Sequence, residues 1–259
     1  MVHEEAIANQ SAALNSLMRG KMSESTAGVA AWIDVDEATF VRFAQFAYTG
    51  DYSVPKMVVS GQERSKSRQE QSVAEVEEIE ELGIEENYWG SLSSASKKNK
   101  KKSQVTCTPP QPTPTPFKSL TYTLLQPRSK FANTCDPAVM EGSEENIMEA
   151  LLSHASLYIL AEKWGIESLK RLTLSKLHQT LNLLTLDAAR VPHIVKLVRC
   201  AYSGTPDLET GIDELRELVC RYVAVYIRTI SEHTEFEELI EEGGAFMRDL
   251  WKRVLVRIG

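Results

Sequence analysis

Residues 40–52, FVRFAQFAYTGDY, end an amphipathic pattern in Ala-Tyr-Thr-Gly, and residues 194–206, IVKLVRCAYSGTP, end another in Ala-Tyr-Ser-Gly. How these two glycines are read decides the fold. A glycine that follows a strand and opens a helix cradles phosphate, whereas one that follows the last apolar turn of a helix stops it. Phe40, Phe43, Ala44 and Ala47 recur at helical spacing ahead of Gly50. Gly50 and Gly204 are therefore both expected to be helix stops with φ > 0, a conformation open to glycine without a Cβ penalty. The two stretches share Val, Ala, Tyr and Gly at an offset of 154 positions. Their flanks do not match, so the likeness is a shared stop and not a repeat.

Upstream of this helix, HEEAIANQSAALNSLM places Ile7, Leu14, Leu17 and Met18 at helical offsets, with Ser11 as a cap between two short helices. VAAWIDV alternates, which predicts a half-buried strand with Val29, Ala31, Ile33 and Val35 on one face. Asp36 then caps the helix that ends at Gly50. The back of the chain reads as helix throughout. Leu151, Leu152, Ala155, Tyr158 and Ile159 form a broad face that stops at Gly165. A second helix follows from Ile166, a third over DAARVPHIVKLVRCAYSG, a fourth over IDELRELVCRYVAVYIRTI and a last over AFMRDLWKRVLVRI. In the last, Met247, Leu250, Trp251, Val254, Leu255 and Ile258 make the stripe. Trp164, Tyr202, Tyr222, Tyr226 and Trp251 are assigned to the core rather than to a ligand pocket.

Between the two helical parts the composition changes. VAEVEEIEELGIEE is acidic, SLSSASKKNKKKSQ is serine-rich and then basic, and TPPQPTPTP is proline-rich. Such a stretch buries too little apolar surface to offset its ordering entropy, and the Thr-Pro run forbids helix. Residues 56–144 are expected to be a long disordered insertion, with one transient helix over Val73–Leu82. Closing the fold across it is tolerable, because doubling a loop costs only about 0.6 kcal/mol more.

The chain of 259 residues carries a net charge of −7 with 42 % hydrophobic residues. That balance supplies a packed core and argues against a general nucleic-acid binder, which would carry a basic face. No apolar run reaches the length of a membrane span, and MVHEEAIANQ is neither basic nor apolar enough for a signal peptide. The expected location is intracellular, in the cytoplasm, the nucleus or both. The four cysteines, Cys107, Cys135, Cys200 and Cys220, form no C-x-x-C pair. The five histidines, His3, His154, His178, His193 and His233, show no metal-ligand spacing. There is no nucleophile elbow, no phosphate loop and no pair of carboxylates in an apolar context. No enzyme activity and no cofactor are expected.

The front of the chain resembles a BTB/POZ domain. The residues that carry the likeness are Val2-His3, Ser11, ALNSLMRGKMSES, IDVDEATF and FAQFAYTGDY, and then LYILAEKWGIESLKRL behind the insertion. Individually these motifs are weak, and their order makes them specific. The arrangement is especially similar to BTB proteins of filamentous fungi, which combine long polar insertions with helical tails. The resemblance implies a mainly α fold with an α+β remnant. In it, residues 1–55 and 145–185 are the two parts of a BTB/POZ-like helical body with one short strand, and 186–259 are an α-helical extension. It gives His3, Asp36, Phe40, Tyr48, Gly50, Trp164 and Gly165 structural roles. In the family a β-hairpin precedes the Val2-His3 position. The expectation is that either the sequence is truncated ahead of it or the body is mainly helical with the strand lacking a partner edge, and homodimerisation stays open.

The resemblance implies a protein–protein interaction module. BTB proteins that dock on a cullin-3 ubiquitin-ligase scaffold carry a hydrophobic-x-Glu triplet where this chain has Met22-Ser23-Glu24. Met22 would enter a pocket of the scaffold and Glu24 would add a charge-assisted contact. The plainer alternative is that Met22 fills the local core. A cullin-type scaffold or another BTB protein is thus the expected partner, with no direct nucleic-acid or membrane contact. Lys97, Lys98, Lys100, Lys101 and Lys102 match a nuclear-import cluster, and equally a charge block balancing the acidic run. Import would make the chain a subunit of a nuclear assembly or transcriptional regulator. Thr108, Thr113 and Thr115, each before proline, are candidates for phosphorylation.

Overall fold

Ser11 and Asp36 cap helices as their sequence context predicts. The Ser11 side chain accepts from the Leu14 N–H and Asp36 from the Thr39 N–H. In the computed structural model, residues 2–20, 27, 29–54, 116–125 and 144–258 are described. All belong to one unit built from Met1–Gln62 together with Pro114–Gly259. Helices α1 (Glu4–Ala8), α2 (Ala12–Arg19) and α3 (Glu37–Thr49) form the front. The back comprises α4 (Glu144–Trp164), α5 (Glu167–Leu183), α6 (Val191–Gly204), α7 (Glu214–Val225), α8 (Ile227–Ile230), α9 (Thr234–Glu242) and α10 (Gly244–Ile258). Short 3-10 turns lie at Phe117–Ser119 and Ala188–Arg190. The described residues are mainly helical and contain no strand.

Helix α4 is shared by both core clusters of this unit. Ile147, Leu151, Ala155 and Tyr158 face a back cluster with α5, α6, α7, α9 and α10. Leu157, Leu160 and Ala161 face a front cluster with Ile7, Leu14, Phe43, Phe46 and Tyr52. A helix buried on opposite sides must be apolar nearly all round, which is why its sequence shows a broad face and not a stripe. Residues 186–259 share the back cluster with α4 and α5, so the C-terminal helices extend that core.

Charged groups inside this core are paired. The Arg216 guanidinium is buried at the C-terminal end of α6, where it donates to the Tyr202 carbonyl at 3.1 Å and to the Thr205 carbonyl. A cation at that end of a helix satisfies orphan carbonyls and complements the dipole. Asp213 caps α7 through the Leu215 and Arg216 N–H groups and accepts from the Tyr158 hydroxyl at 2.9 Å.

Four expectations are corrected. The strand over Val29–Val35 does not form: residues 29–32 are irregular, and the Val35 N–H closes a turn on the Trp32 carbonyl. Among the described residues no partner strand offers a ladder to join, and the predicted inward face splits, with Val35 packed on the front cluster. Val29 and Ile33 are exposed while Trp32 packs on the front cluster. Gly204 does not stop its helix in the left-handed region. It is the last residue of α6, and a Cβ there would lie 2.2 Å from Ile159 Cδ1, so close packing on α4 selects glycine. Trp251 is 61 % exposed, because the buried line of α10 runs through Phe246 and Leu250. The fourth back helix breaks at Tyr226 into α7 and α8.

Within the stretch expected to lie outside the core, the described residues 116–125 pack on the helices, and Phe117 is buried in the back cluster. The transient helix over Val73–Leu82 lies outside the described residues.

Candidate functional site

The residues most like a catalytic set come from both sides of the insertion. Just beyond the α3 stop, Gly50 at φ 73° turns the chain so that Asp51 and Tyr52 point inward. The Asp51 carboxylate pairs with Lys176 on α5, and the two side chains are 0 % and 3 % exposed. Lys176 Nζ also donates to the Tyr52 carbonyl at 2.8 Å and sits 4.7 Å from the centre of the Tyr52 ring. The Tyr52 hydroxyl lies 2.6 Å from His154 Nδ1 on α4, and His154 Nε2 lies 3.2 Å from the Thr180 hydroxyl on α5.

The electrostatics follow from burial. Loss of solvent, with the Lys176 and Arg42 charges nearby, holds the His154 imidazole down to about 3, so it is neutral at ordinary pH. Burial, with Asp51 close by, raises the Tyr52 phenol well above its usual value. A base, a phenol, an amine and a carboxylate in one chain of contacts is the vocabulary of acid–base chemistry. Here every member is sealed. Asp51, Tyr52 and His154 are fully buried, and Lys176 and Thr180 nearly so. The arrangement fastens the front segment to α4 and α5. No spacing in the sequence signals it, since each residue sits alone in its own amphipathic pattern.

A second site is open. The turn at 29–35 lays Trp32 against Trp164 with ring centres 5.0 Å apart and planes 17° from parallel. Phe40 and Phe43 support Trp32 from beneath, at 5.5 and 5.7 Å. Leu17, Ala30, Ile33, Asp34 and Lys163 complete a groove of about 450 Å³. Ile33 is 99 % exposed on its rim. Lys163 pairs with Asp34 across the groove, and that bond keeps the Asp34 carboxyl below its usual range. The Trp164 indole N–H is buried without a partner among the described residues. The chemistry on offer is an aromatic floor, an exposed aliphatic residue and one ion pair.

The predicted structural residues fall in three groups around this front. His3 and Tyr48 meet: the His3 N–H donates to the Tyr48 hydroxyl at 2.7 Å, and His3 Nδ1 lies 2.9 Å from the same oxygen. His3 occupies the cap position of α1 but caps nothing with its side chain. Asp36, Gly50 and Gly165 act at helix ends, Gly165 with φ 64°. Phe40 and Trp164 flank Trp32. Met22, Ser23 and Glu24 lie outside the described residues, as do Lys97, Lys98, Lys100, Lys101, Lys102 and the Thr-Pro sites. Among the described residues no cluster of ligating side chains could hold a metal ion, and no helix is long and apolar enough to cross a membrane.

Comparison with protein-family models, curated proteins and solved structures finds no match to this chain.

Proposed function

We propose that this chain is a non-enzymatic protein-docking module of the BTB/POZ type, acting as a substrate adaptor on a cullin-3-type ubiquitin-ligase scaffold. The observation that carries the docking reading is the turn at 29–35, where Ile33 is 99 % exposed above the Trp32–Trp164 platform. Apolar groups that a chain leaves in water around a groove mark an interaction surface. The groups suited to acid–base work, by contrast, are locked in the core. In sequence, Met22-Ser23-Glu24 lies between α2 and this turn, and its hydrophobic-x-Glu pattern is what names the scaffold.

The test is native co-purification of the tagged chain beside its Met22→Asp and Ile33→Asp variants, with partners identified by mass. A cullin that accompanies the unaltered chain and is lost with Met22→Asp supports the adaptor role. Its absence from every preparation removes that role. The lysine block Lys97–Lys102 favours a second reading, a subunit of a nuclear assembly. Deleting the block and following localisation separates the two: a nuclear chain that becomes cytoplasmic supports the second.

A further inference from the structure

Residues 116–125, PFKSLTYTLL, cross the helices as a bound peptide would. Phe117 is buried, with its ring 5.0 Å from His178 of α5 and 5.4 Å from Tyr222 of α7, edge-on to both. Beyond a single 3-10 turn the segment becomes extended, and its contacts alternate. Leu120 and Tyr122 pack on the back cluster and Leu124 on the front cluster, while Thr121, Thr123 and Leu125 face solvent. Tyr122 reaches the same histidine as Phe117, at 5.6 Å between ring centres. Anchors at every second position are the signature of an extended strand presenting one face.

The polar attachment is slight. His178 Nε2 lies 2.9 Å from the Phe117 carbonyl. The other hydrogen bonds of the segment close its own turn, from the Ser119 N–H and hydroxyl to the Pro116 carbonyl and from the Leu120 N–H to the Phe117 carbonyl. Among the described residues no main-chain ladder ties the strap to the helices. Recognition therefore rests on side-chain sockets, and a second peptide with the same anchors meets the same sockets.

We propose that the groove across α5 and α7 is a peptide-docking site whose resident occupant is this chain's own strap. It accepts in exchange a partner segment of the same chemistry, an extended peptide with an aromatic residue followed by apolar residues three, five and seven positions later. That spacing is the one from Phe117 to Leu120, Tyr122 and Leu124. Covalent attachment gives the strap an effective concentration on the order of millimolar, so a free peptide fails against the intact strap and succeeds once it is weakened. At its Leu124 end the site reaches the front cluster on which Trp32 and Trp164 also pack, and its test does not depend on a cullin.

The probe is a labelled synthetic peptide of residues 116–125, with binding followed by fluorescence anisotropy. The targets are the full-length chain and its Phe117→Ala/Leu124→Ala double variant. The double variant is expected to bind the peptide in the micromolar range, and the intact chain at least tenfold more weakly. A peptide carrying Ser in place of its Phe is expected to lose the binding. A double variant that keeps its helical circular dichroism and cooperative melt yet binds no peptide overturns the proposal. If the double variant loses its helical signal, Phe117→Leu, which keeps the socket filled, decides. Binding at least tenfold tighter than to the intact chain supports the exchange, and binding no tighter overturns it.

Discussion

The Tyr52 hydroxyl lies 2.6 Å from His154 Nδ1, joining residues 102 positions apart across the whole insertion. Both ring nitrogens of the neutral imidazole are engaged, Nδ1 by Tyr52 and Nε2 by Thr180. Tyr52→Phe would leave Nδ1 buried with no partner. The expected cost is about 1–3 kcal/mol, the penalty for an orphaned buried polar group. Urea denaturation read by circular dichroism measures it. A loss below about 0.5 kcal/mol would mean that the contact contributes no net stability.

Lys176 and Asp51 supply the charged half of the same fastening. Removing one partner strands the other charge in the core, so Lys176→Met should cost about 3–5 kcal/mol. Asp51→Asn in that background removes the stranded charge and should recover part of the loss. The double variant is expected to be more stable than Lys176→Met alone by urea midpoint. If the two losses simply add, the ion pair is not the interaction that matters.

The same network makes stability depend on pH. His154 is held down to about 3 in the fold, against about 6.5 in the unfolded chain. The unfolded state therefore binds the extra proton first as pH falls. The stabilisation is fully present above about pH 6.5 and is lost toward pH 3. The expected loss is about 2 kcal/mol between pH 7.5 and pH 5, near 1.4 kcal/mol per pH unit once below the unfolded value. His178, also lowered by burial, adds in the same direction. Urea midpoints at the two pH values measure the slope, and His154→Gln should remove most of it. A slope unchanged by that substitution would assign it elsewhere.

The helices and their ends were legible because they are encoded locally. Ser11 and Asp36 cap, Gly50 and Gly165 adopt positive φ, and the apolar spacing places Ile7, Leu14 and Phe43 in the core. What depends on a distant partner was not legible. The alternation at Val29–Val35 reads as a strand only if another strand pairs with it. Asp51, Lys176 and His154 are each one polar residue in an apolar pattern, and only folding brings them together. Leu120, Tyr122 and Leu124 did carry a signal, a period of two inside a polar stretch, but the proline and charge around them outweighed it. The open groove was legible only in its parts, since Trp32 read as the outward residue of a strand and Trp164 as core. The proposed docking triplet rests on its sequence pattern alone.

Gly50 and Gly204 end similar sequences for different reasons, and alanine should separate them. At Gly50 the left-handed backbone penalises any Cβ, at about 1–2 kcal/mol. At Gly204 the obstacle is Ile159, whose Cδ1 and Cγ1 lie 2.2 and 2.8 Å from the added atom. A β-branched side chain on a helix has little rotamer freedom to move aside, so overpacking should cost about 1–3 kcal/mol. In an Ile159→Ala background the cost at Gly204 should vanish while the cost at Gly50 persists. Thermal melts of the unaltered chain, the three single variants and the two double variants test this. Equal behaviour at the two sites would return Gly204 to the role of a conformational stop.

Tyr222 offers the opposite case, a substitution that should help. Its hydroxyl is buried with no hydrogen-bond partner among the described residues, and burial raises its phenol above the usual value. The ring earns its place by packing, 5.4 Å from Phe117 and 4.7 Å from Tyr226. Tyr222→Phe keeps that packing and deletes a polar group that folding has stripped of water. The desolvation penalty for such a group is about 1–3 kcal/mol, so the variant should be neutral to more stable by up to that amount. The urea midpoint should rise or hold with an unchanged slope. A loss of more than about 1 kcal/mol would show that the hydroxyl is bonded in solution, with a buried water the first partner to seek by solution methods.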